Sequence, residues 1–184
     1  MIPVDKHKSK IGLKRGFVRI VRHRTEWSVL YCAEAEKIKS CLGDIAVDIQ
    51  HVGSTAVPGL ISKPIIDVAI AVNSHEAISA VVKRLPDIGY IDKGDQGANG
   101  GYLLVRESEP DVRTFHIHVV EKNDVQWRNY IIFRDCLCRD AKTREEYAKL
   151  KRTLAAKFQT DRESYTNGKE QFIRDVLAQI NNDE

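Results

Sequence analysis

His51-Val52-Gly53-Ser54-Thr55-Ala56-Val57-Pro58-Gly59-Leu60-Ile61-Ser62-Lys63-Pro64-Ile65-Ile66-Asp67 is the stretch that decides the fold. Ala46 to Val52 reads as a strand, with Ile45, Val47, Ile49 and His51 on one face and Val52 at its end. It runs into a loop of turn formers, Gly53 to Gly59. Pro64 to Val72 follows as a second strand, almost continuously apolar and therefore central in its sheet. A strand entering Gly-Ser, a short helical turn and a buried strand with one acid together suit phosphate. Gly53 lets the backbone approach an anion, and N–H groups at the start of the next turn point at it. The hydroxyls of Ser54 and Thr55 add hydrogen bonds, and Lys63 adds a mobile positive charge. Asp67 lies among apolar residues, where an unpaired carboxylate is costly. A metal ion, Lys63 or an arginine would relieve that cost.

A second constellation is Thr114-Phe115-His116-Ile117-His118-Val119-Val120. Residues two apart in a strand share a face, so His116 and His118 project together. If this strand lies beside that of Asp67, two imidazoles and a carboxylate converge on one ion. That set suits Zn, Mn or Fe better than Mg. The alternative is a half-buried histidine pair hydrogen-bonded to its neighbours. Either imidazole also titrates near neutrality, as a general base towards an acceptor hydroxyl should.

Outward from these segments, Phe17 to Arg22 alternates weakly and is expected to form a short edge strand. Thr25 is placed to cap a helix running to about Cys41 and ended at Gly43. Ser74 caps another through about Leu85, with Ile78, Val81, Val82 and Leu85 inward. Short strands are expected near Tyr102 to Arg106 and Arg113 to Glu121, with Gly94 to Gly101, holding four glycines, as a flexible loop. After Asn123-Asp124 the chain is helical. Its apolar stripes are Trp127, Tyr130, Ile131 and Leu137; Tyr147, Leu150, Leu154 and Phe158; and Phe172, Ile173, Val176, Leu177 and Ile180. Arg134 falls on the first stripe and needs a partner: Asp67, a bound phosphate or a structural ion pair, with Asp135 facing elsewhere. Lys151 and Lys169 read as solvated, and Tyr165 as a packing residue. The architecture is α/β (α+β), a mixed β-sheet with flanking helices and a C-terminal helical bundle. A basic arm and edge strand occupy residues 1–24, and one domain residues 25–184, with the sheet core over about 45–121 and the helical part over about 125–182.

With 184 residues, 42% of them hydrophobic and 30% charged, the chain has the mixture of one globular domain, and wholesale disorder is excluded. The longest nearly apolar run, Ile65 to Val72, is eight residues and is broken by Asp67, against the ~20 needed to cross a bilayer. No membrane association is expected. The first residues lack the apolar region of a secretory signal, so a cytoplasmic location is expected. Cys32, Cys41, Cys136 and Cys138 read as buried free thiols rather than a disulfide framework. Residues 1–24 carry eight Lys/Arg against Asp5 alone, a charge of +7 where the whole chain has +3, so the remainder is −4. No nucleic-acid motif with interleaved aromatics accompanies this arm. It is expected to be solvated, and nucleic acid is not expected as a partner.

Gly53-Ser54 followed by an acid on a strand resembles the nucleotidyltransferase fold of the DNA-polymerase-beta type. There, Gly-Ser grips nucleotide phosphates and an Asp-x-Asp pair binds two Mg²⁺. Position 69, where the second acid would stand, is Ala. Several blocks together resemble the GrpB family, which is placed in the nucleotidyltransferase superfamily by fold. They are His51 to Leu60, Lys63-Pro-Ile-Ile-Asp67, His116-Ile-His118-Val, Phe133-Arg134-Asp135-Cys-Leu, Tyr147, Leu150-Lys151, Leu154-Ala155 and Tyr165…Gly168-Lys169. The resemblance covers about residues 17–180 and implies that Gly53, Ser54, Lys63, Asp67, His116 and His118 are site positions. Family members usually read Phe-Arg-Asp-Tyr-Leu-Arg where this chain has Cys136 and Cys138. The family domain also occurs fused to dephospho-CoA kinase, which implies a nucleotide or coenzyme A context. The expectation is a metal-assisted enzyme using Mg, Mn or Zn that transfers a nucleotidyl or phosphoryl-type group to a small acceptor. Asp67, His116 and His118 would be catalytic and metal-binding, and Gly53, Ser54, Thr55, Lys63 and Arg134 would bind the phosphate-bearing partner. The alternative is a module that binds a nucleotide or anionic metabolite on the same scaffold, for which Ala69 speaks directly.

Overall fold

The computed structural model describes residues 11–97 and 101–182. Its elements run β1 (Leu13–Lys14), α1 (Glu26–Leu42), β2 (Asp48–Val52), β3 (Ile66–Val72), α2 (His75–Arg84), β4 (Tyr90–Asp95), β5 (Tyr102–Glu109), β6 (Val112–Glu121), α3 (Val125–Arg139), α4 (Ala141–Lys157), α5 (Arg162–Asn167) and α6 (Glu170–Asn182). The strands make one mixed sheet ordered β2-β3-β6-β5-β4, and β1 pairs with the start of β6. β3 and β6 are parallel; the other neighbours in that order are antiparallel.

The alternation of side chains along β3 and β6 separates the two faces of the sheet. Ile66, Val68, Ile70 and Val72 join Phe115, Ile117 and Val119 in the main core, under Trp27, Ile38 and Leu42 of α1 and Val81 of α2. The opposite face carries Ala69, Ala71 and Val120, covered by Trp127, Tyr130 and Ile131 of α3. Asp67, His116 and His118 share the parity of this second face. The small residues Ala69 and Ala71 let α3 lie close over it. Below α3, the loop residues Val57 and Leu60 pack on Leu137, Tyr147 and Ala148. Val18 packs on Leu154 and Tyr165, which ties the chain's early segment to the helical part.

Of the two expected helix caps, Ser74 forms and Thr25 does not, and three aspartates cap further helices. Ser74 accepts from the Ala77 N–H, Asp124 from Gln126, Asp140 from Lys142 and Asp161 from Ser164. Thr25 precedes α1 without a side-chain cap. Three further expectations change. Phe17 to Arg22 is not a strand: only Val21 makes an isolated bridge, to Ser62, and β1 lies earlier. β4 forms within the stretch left unassigned after Gly89, and takes in Gly94 and Asp95 of the expected glycine loop; residues 98–100 of that loop lie outside the described residues. The four thiols are free, but Cys32 and Cys138 are exposed and Cys41 and Cys136 only half-buried. Residues 1–10 of the basic arm also lie outside the described residues. Among the described residues no helix is long and apolar enough to cross a membrane.

Candidate functional site

Parallel pairing of β3 with β6 sets Asp67 directly beside His116 and Ala69 beside His118. Asp67 Oδ1 lies 3.0 Å from His116 Nδ1 and 3.7 Å from His118 Nε2. One donor atom from each of the three residues falls within 4.8 Å of the others. His116 Nε2 faces Arg162 Nη2 at 3.3 Å. A guanidinium only donates, so Nε2 accepts and Nδ1–H donates to Asp67. Burial lowers the His116 pKa to about 4 despite the neighbouring carboxylate, which keeps the ring neutral. Burial alone would raise Asp67, but hydrogen bonds from His116 and His118 outweigh it and hold the carboxyl well below its usual range. The pair is an ionised acid beside a neutral imidazole. Two imidazole nitrogens and a carboxylate would fit a divalent cation once the His116 proton moves from Nδ1 to Nε2 and Arg162 withdraws from that ring; the donor set favours Zn, Mn or Fe over Mg.

Gly53 closes the site from the β2 side. Its φ of 67° and ψ of −169° are open to glycine and strained for other residues. A Cβ there would stand 2.7 Å from Asp67 Oδ2 and 3.1 Å from Asp67 Cβ. The glycine is thus required twice, by its backbone and by its contact with the acid. Ser54 to Ala56 form a single 3-10 turn. The Thr55 hydroxyl pairs with His51 Nε2 at 3.0 Å, and burial lowers that imidazole to about 4.

Two chambers meet at Asp67 and His118. One, of about 360 Å³, lies under α3 and α6 and is mainly apolar, with Tyr130, Phe133, Tyr147, Ile173 and Leu177 on its walls. The other, of about 350 Å³, is walled by Lys63, Lys151, Lys169 and Arg162, and Asp67 is the single acid among its described lining residues. These cations come from four separate segments. Lys63 Nζ and Lys169 Nζ lie 5.2 and 4.9 Å from the ring centre of Tyr165, and Lys151 Nζ lies 4.9 Å from that of Tyr147. Burial, reinforced by the neighbouring cations, lowers Lys63 to about 7 and Lys151 well below its ordinary range. Burial lowers Lys169 to about 8 although Asp67 opposes it.

Of the expected site residues, Gly53, Ser54, Thr55, Lys63, Asp67, His116 and His118 all border these chambers. Arg134 does not. Its guanidinium donates to Gln50 Oε1, the His51 carbonyl and Asp135 Oδ1, at 2.9, 2.9 and 2.8 Å. Adjacent Asp135 turns back to meet it, contrary to expectation, and the arginine is a brace between α3 and β2. Lys151 and Lys169 are also corrected: Lys151 is 1% exposed, and Lys169 is half-buried on the chamber wall. A local signal existed for Lys151, which follows Tyr147 by four residues and precedes Leu154 by three, on the apolar stripe of α4. Arg162 and Ser62 had no such signal. Tyr165 is buried as expected, at 1% exposure.

The GrpB protein family model matches residues 17–179. The chain is 32% identical to the glutamate-rich protein GrpB of Alkalihalophilus pseudofirmus, over 92% of this chain and 99% of that protein. It is 35% identical to a UPF0157 protein of Pseudomonas aeruginosa, over 83% of this chain and 63% of that one. It also matches a dephospho-CoA kinase of Mycolicibacterium paratuberculosis at 24% identity, over 96% of this chain and 49% of the kinase. Among solved structures, conserved protein GrpB from Enterococcus faecalis superposes with a TM-score of 0.78, 27% identity and 88% and 96% coverage of the two chains. The Cid1 poly(U) polymerase in its Mg 3′-dATP complex gives a TM-score of 0.51 at 16% identity, over 80% of this chain and 49% of that one. That likeness concerns the fold, which is nucleotidyltransferase-like. Family model, relatives and solved structure agree, and the chain belongs to the GrpB family.

Proposed function

We propose that this protein transfers a nucleotidyl or phosphoryl-type group from a phosphate-bearing donor to a small acceptor, with a divalent metal at Asp67, His116 and His118. The observation that carries the reading is the placement of the acid–imidazole cluster at the junction of an apolar and a cationic chamber. The nucleotide complexes of the similarly folded Cid1 polymerase, and the match to half of a dephospho-CoA kinase, support a nucleotide-type partner. A bound metal supplies charge neutralisation at the reacting phosphate. The chain's own groups do the rest: Ser54 and the backbone of its turn hold phosphate oxygens, and Gly53 keeps the approach to Asp67 open. In nucleotidyl transfer the acceptor hydroxyl oxygen bonds to the α-phosphorus and the bond to the bridging oxygen breaks. The leaving pyrophosphate carries that electron pair, and the hydroxyl proton passes to solvent, since His118 would be held by the metal.

The test is release of pyrophosphate from a panel of nucleoside triphosphates with Mn²⁺ and candidate hydroxyl acceptors. Asp67→Asn should abolish release while the circular dichroism spectrum stays that of the wild type. Release that persists in Asp67→Asn refutes the role given to the acid. Ala69, in register with His118, favours a second reading, a binding module without turnover. Nucleotide binding that is indifferent to metal, with no product by mass spectrometry, would select it.

A further inference from the structure

Lys151 Nζ and Ser62 Oγ are buried and have no hydrogen-bond partner among the described residues. Their residues are 1% and 2% exposed, and both line the cationic chamber. A buried ammonium without a counter-charge costs folding stability, and an orphaned hydroxyl adds to that cost. The ring face of Tyr147, 4.9 Å from Lys151 Nζ, gives that group neither an acceptor atom nor a counter-charge. Around them stand Lys63, Lys169 and Arg162, so four cationic side chains face the single carboxylate of Asp67. Arg162 also touches His116, which links the chamber to the acid–imidazole cluster.

We propose that this chamber is a polyphosphate site: it takes a group of two or more linked phosphates, anchored on Lys151 and Ser62 and held by Lys63, Lys169 and Arg162. The inference deepens the reading given above and rests on it, naming a di- or triphosphate as the donor's charged part. One phosphate monoester carries about −1.5 to −2 charges and would leave the chamber with excess positive charge. A diphosphate or longer chain matches four cations against one acid and offers enough oxygens for donors that come from four separate segments. The raised cost of charging Lys63 and Lys151 in each other's presence is relieved by the same ligand.

Calorimetric titration of the full chain with pyrophosphate, tripolyphosphate and orthophosphate, in EDTA to exclude metal, tests this. Pyrophosphate and tripolyphosphate should bind at least about tenfold more tightly than orthophosphate. Lys151→Met should lose at least about tenfold in pyrophosphate affinity, yet melt at a higher temperature than the wild type without ligand, because an unpaired buried charge is gone. Lys169→Gln, on the half-buried wall, should weaken pyrophosphate binding without disturbing the interior. Equal affinity for orthophosphate, or wild-type pyrophosphate affinity in both variants, overturns the proposal. Wild-type protein that ignores pyrophosphate but binds Mn²⁺ through Asp67 removes the polyphosphate site and leaves the transfer reading standing. Pyrophosphate binding with no Mn²⁺ binding and no turnover does the reverse.

Discussion

At the scale of single residues, the site depends on how closely Gly53 meets Asp67. The glycine has a positive φ and no room for a methyl group beside the carboxylate. Gly53→Ala should therefore cost about 1–3 kcal/mol from backbone strain and also displace the acid. Urea unfolding reads the first effect and Mn²⁺ titration the second. Loss of stability with unchanged Mn²⁺ affinity would show that Asp67 tolerates the intrusion. Gly53 and Asp67 stood out in the sequence because both signals are local, a glycine ending a strand and one acid in an apolar run; their contact with each other did not. Arg162 was not legible, since its value comes from a contact with His116, 46 positions away.

At the scale of elements, two strands and one helix determine what converges. Period-two alternation put His116 and His118 on a common face in advance. Their neighbour was not given by alternation; the parallel β3–β6 register supplies it. The helical stripes also held, and of the partners open to Arg134 the structural one is observed. Arg134 braces α3 to β2 through Gln50, the His51 carbonyl and Asp135. Arg134→Met should destabilise the fold by about 1 kcal/mol, from half-buried acceptors left unpaired, while pyrophosphate affinity measured on the folded protein stays that of the wild type. A selective loss of affinity would return Arg134 to the site. The weak alternation of Phe17 to Arg22 misled for a physical reason. Val18 is held by apolar contact with Leu154 and Tyr165, and among these residues only Val21 is bridged, to Ser62.

For the whole molecule, the cationic chamber is an interior assembled from the β2–β3 loop, α4, α5 and the α5–α6 junction, which no local pattern encodes. It leaves a signature in the pH dependence of stability. Lys63 and Lys169 are held at about 7 and about 8 in the fold against an ordinary 10.5. Between those values the unfolded chain binds more protons than the folded one, so the contribution of these lysines to stability rises with pH. Thermal melts without ligand should show the wild type gaining on a Lys63→Met/Lys169→Met variant between pH 7 and about 10. Parallel curves would show that neither lysine is perturbed. The central claim is that the acid–imidazole cluster and the cationic chamber act on one phosphate-bearing ligand. Anomalous diffraction from crystals grown with Mn²⁺ and a non-hydrolysable nucleoside triphosphate tests it most directly. A manganese peak is expected within bonding distance of Asp67 and His118, with the phosphate chain running towards Lys151. Manganese elsewhere, or phosphates outside the chamber, would contradict it.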